Sequence, residues 1–459
     1  MVGGSAGGPV NAGGTGQAGT GQAGISQGTS GQGGSGQGGS GQGGDDEPGT
    51  GGAAPAGAAG TSDGGMFVDS DGDGWTPAAG DCCDRPEQCA DPATVNPGAY
   101  EVLDNGVDDD CDGVSAGPVA ETCDQGLPSS TGKPDAMARA LGVCHVALDS
   151  DPLPERRWGL LSAQLLRADG SALADLRAAT VRPGFGKVTP TEGASLVVLS
   201  TGIAADGQQT DPGPNGGSPN SKLASSSHTP SSKVSLTTPV AAGSVDDWFA
   251  AVREPIKKAG SLPLLPDCPG QSSGDAYDSV VLRLRLRAPT NALSVRLRVR
   301  FLSSEFPQNV CTSFNDQFLA LLDAPDVDNG PDRNLGVYRD PQGVQWPASL
   351  PLARTSLLDR CDTLASKCWM SNTSISPLAC SAGPGELADT GLASLGTPAD
   401  PCSHGASTGW LTVAGNVAPG QTAELRIALW DVGDSLFDSI ALLDGLTWDT
   451  SPVTAGTTP

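Results

Sequence analysis

The chain has 459 residues, 52 acidic against 26 basic side chains, a formal net charge of −26 and 65 glycines. That length allows two or three domains. The charge excludes nucleic acid as a natural partner, because binding phosphates takes basic groups; acidic proteins gather cations, so calcium or a basic partner is the more natural company.

Residues 1–65 read as a disordered Gly/Ser/Gln-rich linker. SGQGGSGQGGSGQGG at 30–44 repeats one pentapeptide three times, and the tract has almost nothing to bury against the entropy of ordering it. As a flexible coil, about 60 such residues reach on the order of 45 Å. The opening MVGGSAGGPVNAGG has no basic start, apolar run or cleavage site of an export signal. The cysteines below call for export, so the expectation is a start upstream of Met1. No stretch reaches the roughly 18 apolar residues of a membrane span.

Residues 66–118 form an acidic module. Between Asp69 and Asp124 stand 15 Asp and Glu against one Arg, about half of the net charge. In DSDGDGW, Asp69, Asp71 and Asp73 take loop positions 1, 3 and 5, with the backbone carbonyl of Trp75 at position 7. Hard cations such as calcium want six to eight oxygens in this arrangement, and Gly72 and Gly74 permit the tight wrap. An EF-hand would place a bidentate Glu at position 12, where Gly80 stands, so the remaining ligands must come from farther on. Asp81, Asp84 and the run Asp108, Asp109, Asp110 and Asp112 are the candidates, expected to complete one shell. Oxygen donors without any histidine disfavour copper and point to Ca2+.

Twelve cysteines are present: Cys82, Cys83, Cys89, Cys111, Cys123, Cys144, Cys268, Cys311, Cys361, Cys368, Cys380 and Cys402. No zinc-type spacing occurs, and the chain has only three histidines. Disulfides formed in an oxidising compartment are the better reading. Local bridges are expected within Cys82, Cys83, Cys89 and Cys111, and between Cys361 and Cys368.

The stretch DSDGDGWTPAAGDCCD…VNPGAYEVLDNGVDDDCDG resembles the MopE-like metal-binding repeat of bacterial surface proteins. The resemblance covers about Asp69 to Gly113 and implies an extracellular, cation-binding, disulfide-stapled module with no enzymatic role.

Residues 119–157 read as a connector with a brief helix within 134–144. From 158 to 450 the pattern turns to short β-type runs between Gly, Pro, Asn and Asp turns. VVLRLRLR (280–287) and LSVRLRVRFL (293–302) alternate strictly, aligning Leu282, Leu284 and Leu286 with Val295, Leu297, Val299 and Phe301. With APTNA between them they suggest a hairpin. Further strands are expected at ASLVVLS, QFLALLD, GWLTVAG, TAELRIALW and SIALLDGLTW. The fold class is therefore mainly β, an antiparallel, jelly-roll-like β-sandwich, with 205–240 and 359–405 as surface loops and 451–459 as a disordered tail. The alternate positions carry Arg283, Arg285, Arg287, Arg296, Arg298 and Arg300, either a solvated outer face or a basic stripe for an anionic partner. GASTG at 405–409 matches the nucleophile-elbow pattern around Ser407 but lacks the strand-to-helix context that gives it meaning.

FLSSEFPQNVCTSFNDQFLALLD (301–323) and ELRIALWDVGDSLFDSIALLDGLTW (424–448) resemble the hallmarks of choice-of-anchor L domains, which implies a β-rich surface domain of uncharacterised role. The same residues make a second oxygen-rich candidate site: Glu305, Asn315 and Asp316 flank one strand junction, and Asp431, Asp434 and Asp438 line a loop.

The expectation that follows is an extracellular or outer-surface calcium-binding protein on a flexible tether, its sandwich serving adhesion or ligand binding. A glycan or a surface protein is the expected partner. A glycan-acting hydrolase using loop carboxylates and a structural matrix component are the alternatives.

Overall fold

The computed structural model describes residues 66–115, 121–204, 276–363, 379–392 and 405–459, apart from short interruptions. The expected linker, the 205–240 loop, most of 359–405, Cys268, Cys368 and Cys402 lie outside the described residues.

The strands are β1 (Ser130–Thr131), β2 (Gly159–Leu166), β3 (Ala179–Arg182), β4 (Leu196–Ser200), β5 (Ala276–Arg287), β6 (Ser294–Ser303), β7 (Gln317–Asp323), β8 (Val337–Arg339) and β9 (Gln345–Pro347). After them come β10 (Arg360–Cys361), β11 (Ala406–Ser407), β12 (Leu411–Asn416), β13 (Thr422–Val432), β14 (Ser439–Asp449) and β15 (Gly456–Thr458). Among the described residues there is one α-helix, α1 (Pro134–Ala140). It starts on a proline, whose fixed φ suits a first turn, and buries Met137, Ala138 and Ala140.

The strands pair in two sheets. The smaller has the order β2-β5-β13-β7; the larger runs β1-β3-β4-β14-β6-β12-β15-β8-β9, with β11 joining β6 and β10 joining β11. Among the described residues, every pairing of these strands is antiparallel except β15 with β8.

The expected hairpin of 280–287 with 293–302 does not form. β5 pairs β2 and β13, whereas β6 pairs β14 and β12, so residues 288–292 cross from one sheet to the other. The alternation explains why. Leu282, Leu284 and Leu286 share one apolar core with Val295, Leu297, Val299 and Phe301. A hairpin would leave both rows on one face of one sheet; the crossover buries both in a common interior. Each fully buried Leu, Val or Phe contributes about 1.5–3 kcal/mol.

The larger sheet is also covered on its other face. Val198, Leu302, Ile440 and Leu442 pack there with Phe185, Leu387 and Leu392. This double burial accounts for the continuous apolar runs LVVLS and IALLDGL where a half-exposed strand would alternate.

Two further expectations change. The expected disordered tail contributes β15, which pairs β12 and β8, and Thr457 Oγ1 donates to the Leu335 carbonyl at 2.7 Å. The tail thereby supplies backbone partners to two strands. Cys361 bridges Cys380 rather than Cys368, because the chain returns beside β10, where Ala382 N donates to the Asp359 carbonyl. The other bridges are Cys82–Cys111, Cys83–Cys89 and Cys123–Cys144. Cys311 is also disulfide-bonded, and no described cysteine is free.

The six arginines are partnered within the chain. Arg283 donates to Glu424 at 2.5 Å, Arg285 to Asp149 at 3.1 Å, and Arg287 to the Leu148 carbonyl at 2.6 Å while facing Asp151. Arg296 donates to Asp449 at 2.6 Å and Arg298 to Thr412 Oγ1 at 2.7 Å. Arg300 pairs with Glu386 and donates to Ser407 Oγ. The anionic partner of the expected basic stripe is thus the connector and neighbouring strands, not the acidic module. Ser407 itself is buried in the short strand β11, between β6 and β10, donating to the Thr408 carbonyl, so the nucleophile-elbow geometry is absent there.

Glu424 bridges Arg283 and Arg426. Burial pushes its carboxyl up, but the two guanidiniums outweigh this and hold it below the usual glutamate range. A depressed carboxylate contributes stability above its unfolded pKa and loses it as pH falls through the folded one. Glu424→Gln should therefore lower stability by about 2 kcal/mol at pH 7. In paired melting curves the deficit should shrink as pH falls below 4.5; a pH-independent deficit would assign the effect to packing.

Candidate metal centres

Asp69, Asp71 and Asp73 come together as expected, each offering a ligand oxygen within 4.8 Å of the others, and Asp71 makes a second such group with Asp81 and Asp84. The loop shapes itself by turning carboxylates onto its own amides. Asp69 accepts from Gly72 N at 2.6 Å and Gly74 N at 3.0 Å, Asp71 from Asp73 N at 3.1 Å, and Asp73 from Trp75 N at 2.7 Å. Gly72 and Gly74 have φ of 85° and 98°, conformations a side chain rarely adopts. The Trp75 ring is buried, with Arg157 lying 4.5 Å above it.

The expected single shell is instead split: two groups sharing Asp71 lie at the first loop, and a separate one lies at the second. Asp108 and Asp110 gather with Glu101, not with the first loop. Residues 108–113 repeat the first loop's design: Asp108 accepts from Gly113 N, Asp110 from Asp112 N, and Asp112 from Val114 N. Cys111 and Gly113 have φ of 58° and 93°, matching Gly72 and Gly74 position for position. Asp-x-Asp-x-Asp-Gly therefore occurs twice. Asp109 and Asp112 join none of the three-carboxylate groups. Asp109 is drawn away by Val102 N at 3.0 Å and Asn105 Nδ2 at 2.7 Å. Glu101 was overlooked as a ligand because it stands apart from both aspartate runs; it accepts from Asp109 N at 2.8 Å.

The electrostatics suit a cation. Burial pushes the Asp73 carboxyl up to about 6, with Asp71 and Asp81 adding to the rise against the Trp75 hydrogen bond. Burial also raises Asp71, Asp81 and Asp110. Asp84 goes the other way: burial raises it, but Ser70 N and Oγ, at 2.6 and 2.7 Å, bring it below the usual range. One oxygen each of Asp71, Asp73, Asp81 and Asp108 is buried without a hydrogen-bond donor. Carboxylates so crowded repel one another, and a divalent ion removes that cost. The Cys82–Cys111 bridge ties the residue after Asp81 to the residue after Asp110, holding the groups of both loops in one small module.

The module docks on the 288–292 crossover. Asn291 accepts from Tyr100 N and donates to the Tyr100 carbonyl, both at 2.8 Å. Thr290 N donates to the Gly98 carbonyl at 3.0 Å, and its hydroxyl to Asn96 at 2.7 Å. A Cβ on Gly98 would stand 3.0 Å from Thr290 Cγ2 and 3.1 Å from the Arg156 carbonyl, so the close approach leaves a side chain little room.

A cavity of about 270 Å³ opens beside the second loop, lined by Tyr100, Glu101, Asp110, Asp112, His145, Trp158, Glu192 and Trp448 among others. Trp158 packs edge-on to Tyr100, His145 and Trp448, with centroids 5.7, 4.5 and 6.4 Å apart.

Of the second candidate site, Glu305, Asp316, Asp431 and Asp438 are all buried, whereas Asn315 and Asp434 lie outside the described residues. Asp278, which sequence reasoning missed, is buried as well.

No family model, curated protein or solved structure matches the chain. The two family likenesses rest on the motifs quoted above.

Chelation should speed amide exchange across residues 66–113 before the strands β5 and β6 respond, and Asp71→Ala with Asp73→Ala should reproduce this at the first loop. Exchange unchanged by chelator would remove the metal reading. Separately, Asn291→Ala deletes both bonds to Tyr100. It should cost about 1–3 kcal/mol and expose residues 96–101 to exchange, with calcium stoichiometry by calorimetry unaltered.

Proposed function

We propose that the protein is an extracellular or cell-surface calcium-binding protein that engages glycans through the cavity beside its second aspartate loop. The observation that carries this reading is the shared wall: Glu101 and Asp110, two of the three carboxylates of the second loop's group, line the same cavity as Tyr100, Trp158 and Trp448. Calcium takes six to eight oxygens and accepts hydroxyls among them. Aromatic faces beside polar groups suit an amphipathic ligand such as a sugar ring. Four described disulfides support an oxidising compartment. The motif likeness to the MopE-like repeat and to choice-of-anchor L domains supports a surface location. The two sheets around a common core fit a jelly-roll-like β-sandwich that presents the module.

A glycan array read with calcium and with chelator tests this. Binding should require calcium and fall at least tenfold in Glu101→Gln with Asp110→Asn, while Asp71→Asn in the first loop leaves it within about twofold. Binding indifferent to chelator would overturn the reading. Cleavage of the bound glycan would replace it with the hydrolase, and no binding at all would favour a matrix component.

A further inference from the structure

A second cavity, of about 370 Å³, opens beside the first aspartate loop. One wall is the loop itself, from Gly72 to Trp75. The other is the crossover at Ala288 and Thr290, with the turn of residues 419–421 between β12 and β13. Hydrogen bonds fix that wall. Gly420 N donates to the Pro289 carbonyl at 3.1 Å, Ala288 N to the Gln421 carbonyl at 2.9 Å, and Thr290 N to the Gly98 carbonyl at 3.0 Å. A cavity braced in this way is formed before any ligand arrives.

Trp158 lines this cavity and also the one beside the second loop, so the two adjoin at one indole. Their charges differ. The cavity at the second loop is lined by Glu101, Asp110, Asp112, Glu121 and Glu192, and by no arginine or lysine. The cavity at the first loop has Asp73 and two guanidiniums, Arg156 and Arg287. Asp73 turns one oxygen onto Trp75 N at 2.7 Å.

The two arginines are not equivalent. Arg287 is buried and occupied: it donates to the Leu148 carbonyl at 2.6 Å and the Arg157 carbonyl at 3.3 Å, and faces Asp151 at 3.4 Å. Arg156 is exposed, and its Nε donates to the Asp151 carbonyl at 3.0 Å. Among the described residues its two terminal nitrogens have no hydrogen bond or ion pair. A guanidinium presents a planar fork that matches the two oxygens of a carboxylate. An unpaired fork on the wall of a formed cavity selects for an anionic group.

We propose that this cavity takes the carboxylate of an acidic sugar, a uronate, paired with Arg156. Trp75 and Trp158 supply indole surface for the sugar ring, and Thr290 and Gln421 supply a hydroxyl and an amide for its hydroxyls. The inference rests on the glycan reading above and narrows it to acidic oligosaccharides.

The test titrates the calcium-loaded full chain with a uronate tetrasaccharide and with the same tetrasaccharide after carboxyl reduction, which removes only the charge. Calorimetry should find the uronate form bound at least about tenfold tighter, by a margin that narrows as salt is raised. Arg156→Gln should bring the two affinities within about twofold of each other. Arg156→Lys, which keeps the charge but not the fork, should retain part of the margin. Melting temperatures measured alongside show that both variants fold. Equal binding of the two tetrasaccharides overturns the inference and leaves the glycan reading standing, and so does a preference that survives Arg156→Gln. A preference lost in Arg156→Gln but untouched by Glu101→Gln with Asp110→Asn keeps the Arg156 site and overturns the second-loop reading. Binding of neither tetrasaccharide overturns both.

Discussion

Two strictly alternating strands, β5 and β6, have to bury their apolar rows, and a single crossover of residues 288–292 makes this happen in one interior. The placement of both arginine rows and of the acidic module follows from that choice. With the leucines of β5 and the Val, Leu and Phe positions of β6 sharing a core, their arginines face away from it on two different sheets. Each row then meets its own set of carboxylates instead of the other row. The repulsion that six arginines would suffer across a hairpin never arises. The crossover is also the platform on which the acidic module sits, through Thr290 and Asn291.

The surplus negative charge is handled in three physically different ways. Strand and connector carboxylates such as Glu424, Asp149 and Asp151 face arginines, and these contacts are internal to the fold. The loop aspartates fold onto their own backbone amides, which shapes the loop but leaves one oxygen each of Asp71, Asp73 and Asp108 undonated. Asp278 receives neither treatment. A carboxylate turned onto an amide is largely satisfied whether or not an ion is present, so hydrogen bonding alone says little about metal. The undonated oxygens are more telling, because a buried lone pair without a donor costs about 1–3 kcal/mol.

Much of this was legible beforehand. The strands at 280–287, 293–302, 317–323, 422–430 and 439–448 stand where alternation or apolar runs put them, and the brief helix lies within 134–144. The first aspartate loop was readable from its own spacing. Pairing partners were not, because period-2 alternation states which face is buried but not which strand lies beside it. That is why a short connection between alternating strands looked like a hairpin. The loops at 69–74 and 108–113 share one motif, yet Cys111 stands where Gly72 does, and a cysteine at positive φ conceals the match. Asp278 was illegible for another reason: only the bulge opposite Trp430 turns it inward, and a bulge depends on register.

The module and the sheets are therefore mechanically joined rather than merely adjacent. Cys82–Cys111 holds the aspartate groups of both loops together, and Tyr100 hydrogen-bonds to Asn291 beside Glu101 of the second loop's group. An ion at the second group would fix Glu101 against Asp108 and Asp110 and so brace the segment that Asn291 grips. Trp158, immediately before β2, packs on Tyr100 from the module side and on Trp448 from β14, so one ring joins the module to the larger sheet. A ligand seated among these rings would contact the module and β14 at once. Its binding energy then depends on the ion, the staple and the crossover together, which is how a module with little apolar core of its own can form one wall of a defined cavity.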